Sequence, residues 1–366
     1  MHRLNEHEVR IASLRAQPLS VPLREPFVIA TGRVDATRAV EIEVQISHDS
    51  SRATGIGEAA CLPPVTEEDQ PDVLAAIAAV AGRLGDDARI EDVLRGLGPV
   101  ARAGVDTAFH DAVSRLVGTP LRTWLGGPPG PATLETDITI AIATPEAMGR
   151  LAREWAQRGF RALKIKVGKD VDADVRALEA VGRAAPEATL RVDANAGYTA
   201  GQALQLARAC ERLGLRVECW EQPCATDDLE GMAEVAAALE APVIADESVK
   251  NLRDLHVLLA LRYADGVNLK LAKTGRLGEC IQIGREARRA GLLVMVGGMV
   301  ETRLGMTAAA HMACAVGGVD FVDLDTAWLL ADDPYEGGYV ADGPRYTLPD
   351  TPGLGVTRRS GYSRRR

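Results

Sequence analysis

Eight β-rich runs that begin 24–28 residues apart constrain this chain more than any other feature of its sequence. They are LETDITIAI from 134, ALKIKV from 162, TLRVDAN from 189, VECWEQP from 217, PVIADES from 242, GVNLKL from 266, LLVMVGG from 292 and DFVDLD from 320. The stretches between them, such as PEAMGRLAREWAQRG and GRLGECIQIGREARRAG, place apolar residues at helical spacing and close on glycine. Strands that alternate with helices form a parallel sheet, because each crossover returns the chain to the same end. Eight such units are the number that closes a ring, so the expected fold class is α/β, a TIM-type barrel.

The first 130 residues read differently. IASLRAQPLSV, RAVEIEVQI and TGIGEAAC are β-rich and precede helical stretches near 71–84 and 100–117, the pattern of a small α+β domain. Its loops PLREPFVIATGRVD and GEAACLPPVT are too long for simple hairpins and are expected to form a lid. GGPPGP at 126–131 marks the boundary between a capping domain, 1–130, and a barrel domain, 131–330. Residues 331–357 are expected to return to the capping domain, and the arginine-rich end, 358–366, to be disordered.

A length of 366 residues with 46% hydrophobic content allows a large core in two domains. A net charge of −9 argues against general nucleic-acid binding. The N-terminus, MHRLNEHEVR, lacks the apolar core of a signal peptide, and the longest apolar stretches are too short to span a bilayer, so a cytoplasmic protein is expected. Cys61, Cys210, Cys219, Cys224, Cys280 and Cys314 form no C-x-x-C pair and read as reduced, mostly buried thiols.

Barrel chemistry sits at the C-terminal ends of the strands. Read in order, those ends carry Lys164 and Lys166, then Asp193, Glu221, Asp246 with Glu247, Lys270, and on the eighth strand Asp323 and Asp325. Neighbouring strands lie about 4.8 Å apart, so Asp193, Glu221 and Asp246 on three successive strands can converge on one point. Three such carboxylates call for a cation between them, and hard oxygen ligands suit Mg²⁺. Only six of the 42 basic residues are lysines. Arginine stays charged everywhere, whereas lysine can lose its proton when desolvated, so lysines kept inside strands suggest titratable nitrogen. Lys164 and Lys166 share a face, and Lys270 comes from across the barrel. A metal flanked by lysines points to removal of a proton α to a carboxylate, the metal stabilising an enediolate and the lysines moving the proton. The ordinary lysine pKa of about 10.4 is too high for a base at neutral pH. Lys164 beside Lys166, with Mg²⁺ nearby, is expected to lower it by repulsion. Lys169, Lys250 and Lys273 read as surface stems.

These motifs resemble the enolase superfamily, in its muconate-lactonising subgroup, from about Val9 to Val356. The K-x-K is KIK, the metal ligands lie in RVDANAGY, WEQP and IADES, and the opposing lysine lies in NLKLAKTG. The resemblance implies a (β/α)7β barrel capped by the α+β domain, Mg²⁺ held by Asp193, Glu221 and Asp246, and Lys166 and Lys270 as opposed bases with Lys164 tuning its neighbour. The seventh strand leads into GGMVETRLG without the histidine of a mandelate-racemase-type enzyme. The DLD of the eighth strand resembles the D-x-D of dipeptide epimerases, which holds the ammonium of the N-terminal residue while the C-terminal carboxylate goes to the metal. It implies 1,1-proton transfer at the α-carbon of the C-terminal residue, with L-Ala-D/L-Glu as the leading substrate. Arg33, Arg24 and Thr31 of the first lid loop are the candidates for contacting the substrate side chain. A muconate-type cycloisomerase, an o-succinylbenzoate synthase or an N-acylamino acid racemase would share the lysines and ligands but bind no ammonium. The intact lysines and carboxylates argue against a silent binding protein on the same scaffold. The expected partners are a small dipeptide and further copies of the chain, with no nucleic acid and no membrane.

Overall fold

The computed structural model describes Leu4 and residues 6–361. Eight parallel strands, Ile138–Ile140, Ala162–Lys166, Thr189–Asp193, Val217–Glu221, Val243–Ala245, Gly266–Leu269, Leu293–Gly297 and Phe321–Asp323, lie side by side in chain order. The ring closes where Asp137 N donates to Val322 O at 3.1 Å. Among the described residues seven longer helices alternate with these strands, from Pro145–Gln157 to Arg303–Val316, which is the (β/α)7β arrangement. Their starts follow from the sequence. Asp170, Thr199, Asp228 and Asn251 stand just ahead of four of them, and each side chain accepts from a backbone N–H that the first turn leaves unpaired.

Residues two apart on a strand share a face. Cys219, Ile244, Met295 and Phe321, each two residues before a strand-end position, therefore form a small apolar cluster beneath the site. The Arg191 guanidinium lies over the Phe321 ring at 5.0 Å.

In the capping domain Arg10–Leu19, Arg38–His48 and Ser51–Cys61 form an antiparallel sheet against the helix Pro99–Leu116. TGIG lets the third strand touch the helix backbone: a Cβ on Gly55 would stand 2.1 Å from Ala108 O, and one on Gly57 2.2 Å from Gly104 O.

Three expectations need correction. The first β-rich run splits, because Ala132–Glu135 leaves the barrel to pair with Arg345–Leu348 and only Ile138–Ile140 enters the ring. The first lid loop is a hairpin, Pro22–Ile29 against Gly32–Ala36, and a register irregularity between Pro22 and Phe27 absorbs its extra length. It is stitched to the barrel by Ile142 N to Val28 O at 2.9 Å and Ala331 N to Pro22 O at 2.8 Å. The end of the chain is ordered past 358. Arg358 closes a strand paired with Tyr335–Gly337 and reaches Glu41 at 2.7 Å, and Arg359 reaches Asp332 at 2.8 Å, so acidic partners hold what was expected to be a free tail. Residues 362–366 of that expected tail lie outside the described residues.

Before that strand, Leu354 N donates to Asp111 Oδ1 at 2.7 Å on the capping helix. No helix among the described residues is long and apolar enough to cross a membrane. All six cysteines are buried and unpaired.

Candidate active site

Between the hairpin and the C-terminal ends of the strands lies one narrow cavity. Lys166, Lys270, Asp323, Asp325, Asn195 and Thr139 line its barrel side, and Phe27, Ile29, Leu62, Val65, Met299 and Val300 line an apolar side that Gly298 and Thr326 complete. Strand register explains the polar wall. Lys166 sits opposite Asp193, and Asp193 opposite Glu221. Ile244 follows opposite Glu221, and Asp246 stands two residues further along.

The charged side chains of this wall are all buried. Lys164 Nζ lies 2.7 Å from Glu221, 2.7 Å from Asp323 and 3.0 Å from Asp193. Lys166 Nζ is 2.6 Å from Asp193, and Lys270 Nζ is 2.7 Å from Asp246. At Lys164 and Lys270 these contacts act against the expected fall in basicity. Burial draws Lys164 down, but Asp323, Glu221 and Asp193 outweigh it and hold the ammonium well above its usual range. Burial likewise opposes Lys270, and Asp246 overcomes it. Repulsion between neighbouring lysines is the smaller effect while carboxylates surround them.

Lys273 is a second correction. Expected on the surface, it is buried, 2.5 Å from Asp246 Oδ1, and donates to Asn268 O at 2.8 Å. The strand stops before Lys270, and the short helix Leu271–Thr274 turns residue 273 back under the fifth strand. Asn268, whose Nδ2 donates to Glu221 Oε1 at 2.9 Å, was also missed. Its place two residues before Lys270, on the same face, was the available signal. Asn195 donates to Glu247 at 3.1 Å. Asn195, Ala196 and Gln222 take positive φ of 42°, 62° and 36° directly after Asp193 and Glu221, a strained backbone where the chain leaves the strand.

Charge tests whether a metal fits. Asp137, Asp193, Glu221, Asp246, Glu247, Asp323 and Asp325 are buried together with Lys164, Lys166, Lys270, Lys273 and Arg191. The buried carboxylates outnumber the buried cations, a surplus of negative charge that a divalent ion would reduce. Protons are the alternative: burial, with Asp246 next, pushes Glu247 up to about 7. Asp193, Glu221 and Asp246 are hard oxygen donors on adjacent strands, so the residues present fit Mg²⁺.

The eighth strand contributes a different acidic group. Asp137, Asp323 and Asp325 bring carboxylate oxygens within 4.8 Å of one another. Asp325 Oδ2 accepts from Thr139 N, while Oδ1 accepts no hydrogen bond among the described residues. Burial, then the charge of Asp323, pushes Asp325 up to about 7. Such a carboxylate calls for a donor cation. Asp137, which sequence reasoning missed, is held by Arg191 at 2.9 Å.

The lid candidates are not brought to this cavity. Arg33 is exposed and pairs with Asp35 at 2.9 Å, Arg24 Nε donates to Leu330 O at 2.8 Å, and Thr31 is exposed in the hairpin turn. Both arginines answer to local partners, which a sequence pattern does not show.

Residues 147–360 match the family described as enolase C-terminal domain-like. Over 359 residues the chain is 35% identical to the L-Ala-D/L-Glu epimerase of Bacillus subtilis, covering 95% of this chain and 97% of that one. The chain belongs to the enolase superfamily. It is also 36% identical to an aromatic dipeptide epimerase of Herpetosiphon aurantiacus, over 94% of this chain and 98% of that one. Among solved enolase-superfamily structures, the dipeptide epimerase from Enterococcus faecalis V583 complexed with Mg and the dipeptide L-Leu-L-Tyr superposes with a TM-score of 0.86. It is 30% identical and covers 95% of this chain and 100% of its own.

Proposed function

We propose that this chain is an Mg²⁺-dependent dipeptide epimerase, an isomerase that inverts the α-carbon of the C-terminal residue by 1,1-proton transfer. The observation that carries the reading is one cavity bordered at once by two lysines from opposed strands, Lys166 and Lys270, and by Asp323 and Asp325, the latter with one oxygen that accepts no hydrogen bond among the described residues. Asp193, Glu221 and Asp246 would hold Mg²⁺, which when bound would supply positive charge beside the substrate carboxylate. The chain's own groups do the rest. Asp323 and Asp325 take the substrate ammonium and so fix the dipeptide's direction. Lys166 and Lys270 each face the α-carbon, one removing its proton and the other returning one from the opposite side. Lys164, bridging Asp193, Glu221 and Asp323, couples the metal ligands to the ammonium site. With an ion bound, Asp193, Glu221 and Asp246 would hold Lys164 and Lys270 protonated less strongly. The apolar residues of the lid exclude water. Six buried, unpaired cysteines support a reducing, cytoplasmic setting.

Muconate-type cycloisomerases, o-succinylbenzoate synthases and N-acylamino acid racemases have no ammonium to bind, so Asp325 would have no cation to meet. The test is a panel of free L,L-dipeptides, N-acylamino acids and a succinylbenzoate-synthase substrate, with Mg²⁺ in deuterated water. The proposal expects α-deuterium and an L,D product from the free dipeptides. Turnover confined to the other classes would contradict it.

A further inference from the structure

We propose that the epimerised residue carries an apolar side chain, selected by Phe27, Ile29, Leu62 and Met299; this rests on the dipeptide epimerase reading above. The cavity has a charged side and an apolar side. Both cations on the charged side are already engaged, since Lys166 lies against Asp193 and Lys270 against Asp246, and both serve the α-carbon. The apolar residues of the wall come from three separate segments. Phe27 and Ile29 come from the hairpin, Leu62 follows the strand Ser51–Cys61, and Met299 follows the seventh barrel strand. Three segments from both domains that agree in chemistry make a shaped subsite.

A glutamate side chain placed there would lose its hydration and meet only the Thr326 hydroxyl, which already donates to Glu301 O at 3.0 Å. The arginines that could have answered it point elsewhere, Arg33 to Asp35 and Arg24 to the Leu330 carbonyl. Burying a carboxylate without a partner is strongly unfavourable, whereas an apolar chain gains by leaving water. The ends of the dipeptide are recognised by charge and its epimerised side chain by exclusion of charge. This departs from the L-Ala-D/L-Glu substrate that the sequence put first.

The experiment compares kcat/KM of the Mg²⁺-loaded enzyme for L-Ala-L-Leu, L-Ala-L-Phe and L-Ala-L-Glu, read as L,D product. Wild type is expected to favour the apolar pair by roughly tenfold or more. Ile29→Arg and Leu62→Arg, each placing a cation on the wall, are expected to narrow or reverse that ratio. If either variant fails to fold, the wild-type ranking still decides. L-Ala-L-Glu turned over as well as the apolar dipeptides would overturn the apolar subsite alone. Folded variants that keep the wild-type ratio would overturn the assignment of these walls. No turnover of any dipeptide would overturn the epimerase reading and this inference with it.

Discussion

In the proposed reading, Asp325 is the residue on which substrate direction turns. One of its oxygens is tied to Thr139 N and the other accepts nothing among the described residues. Asp325→Asn is expected to lower kcat/KM for dipeptides with a free N-terminus by about 10- to 100-fold, the loss of a charge-assisted bond worth about 1.5–3 kcal/mol. N-acylated analogues should change little; equal losses for both would make Asp325 structural. The metal ligands behave differently. Asp193→Asn, Glu221→Gln and Asp246→Asn should each cost roughly 100-fold or more in activity and in the Mg²⁺ affinity measured by titration calorimetry. Melting temperatures should fall most for Asp246→Asn, which leaves the buried Lys270 and Lys273 without their nearest carboxylate. A collapse of folding would assign these residues to the core. At this scale the strand-borne groups were legible, because a period of two puts Lys164 and Lys166, or Asp323 and Asp325, on one side. Lys273 was not, because a single helical turn after the strand end reverses its direction. Nor were Arg33 and Arg24, whose directions depend on Asp35 and a carbonyl 306 residues away.

At the scale of elements, the contact between Glu58 and the helix Arg303–Val316 joins the two domains. The Glu58 carboxylate accepts from Thr302 N at 3.0 Å, Thr302 Oγ1 at 2.5 Å and Gly305 N at 3.0 Å, capping that helix from the other domain. Glu301 beside it accepts from Met299 N at 2.7 Å and so shapes the segment that lines the cavity. Burial, then the charge of Glu301, pushes Glu58 up to about 8, and burial pushes Glu301 up to about 7. Both lie above the ordinary carboxylate value, so the folded state binds these protons more tightly than the unfolded state. Their stabilisation is complete below about pH 4.5 and is lost as pH rises toward about 8. Asp325 and Glu247 act in the same direction, so the informative quantity is a difference between proteins. Glu58→Gln keeps an acceptor and removes the charge. Its melting temperature should fall less than wild type between about pH 6 and about pH 8. Parallel curves would contradict the link. The barrel elements were legible from even spacing, but Glu58 reads in sequence only as one acid in GEAAC. Its partner helix lies 244 residues on, a pairing that no local pattern carries.

For the whole molecule, the central claim concerns opposite sides of a closed ring. Lys166 ends the second barrel strand and Lys270 follows the sixth, and in an eight-stranded barrel these stand across from each other. Each then reaches the α-proton of one epimer only, and inversion needs both. The placement of the two lysines was visible in the sequence once the eight runs were counted. The apolar lid that selects what lies between them was not, since it is assembled from residues 27, 62 and 299 by the closure of one domain over the other. The most direct measurement is α-proton exchange in deuterated water by Lys166→Ala and Lys270→Ala, each offered an L,L-dipeptide and its L,D epimer. Each variant is expected to lose epimerisation by several orders of magnitude yet retain exchange with one epimer, and the retained epimer should differ between the two. A single variant that still inverts at near the wild-type rate, or that exchanges both epimers equally, would contradict the opposed-base account.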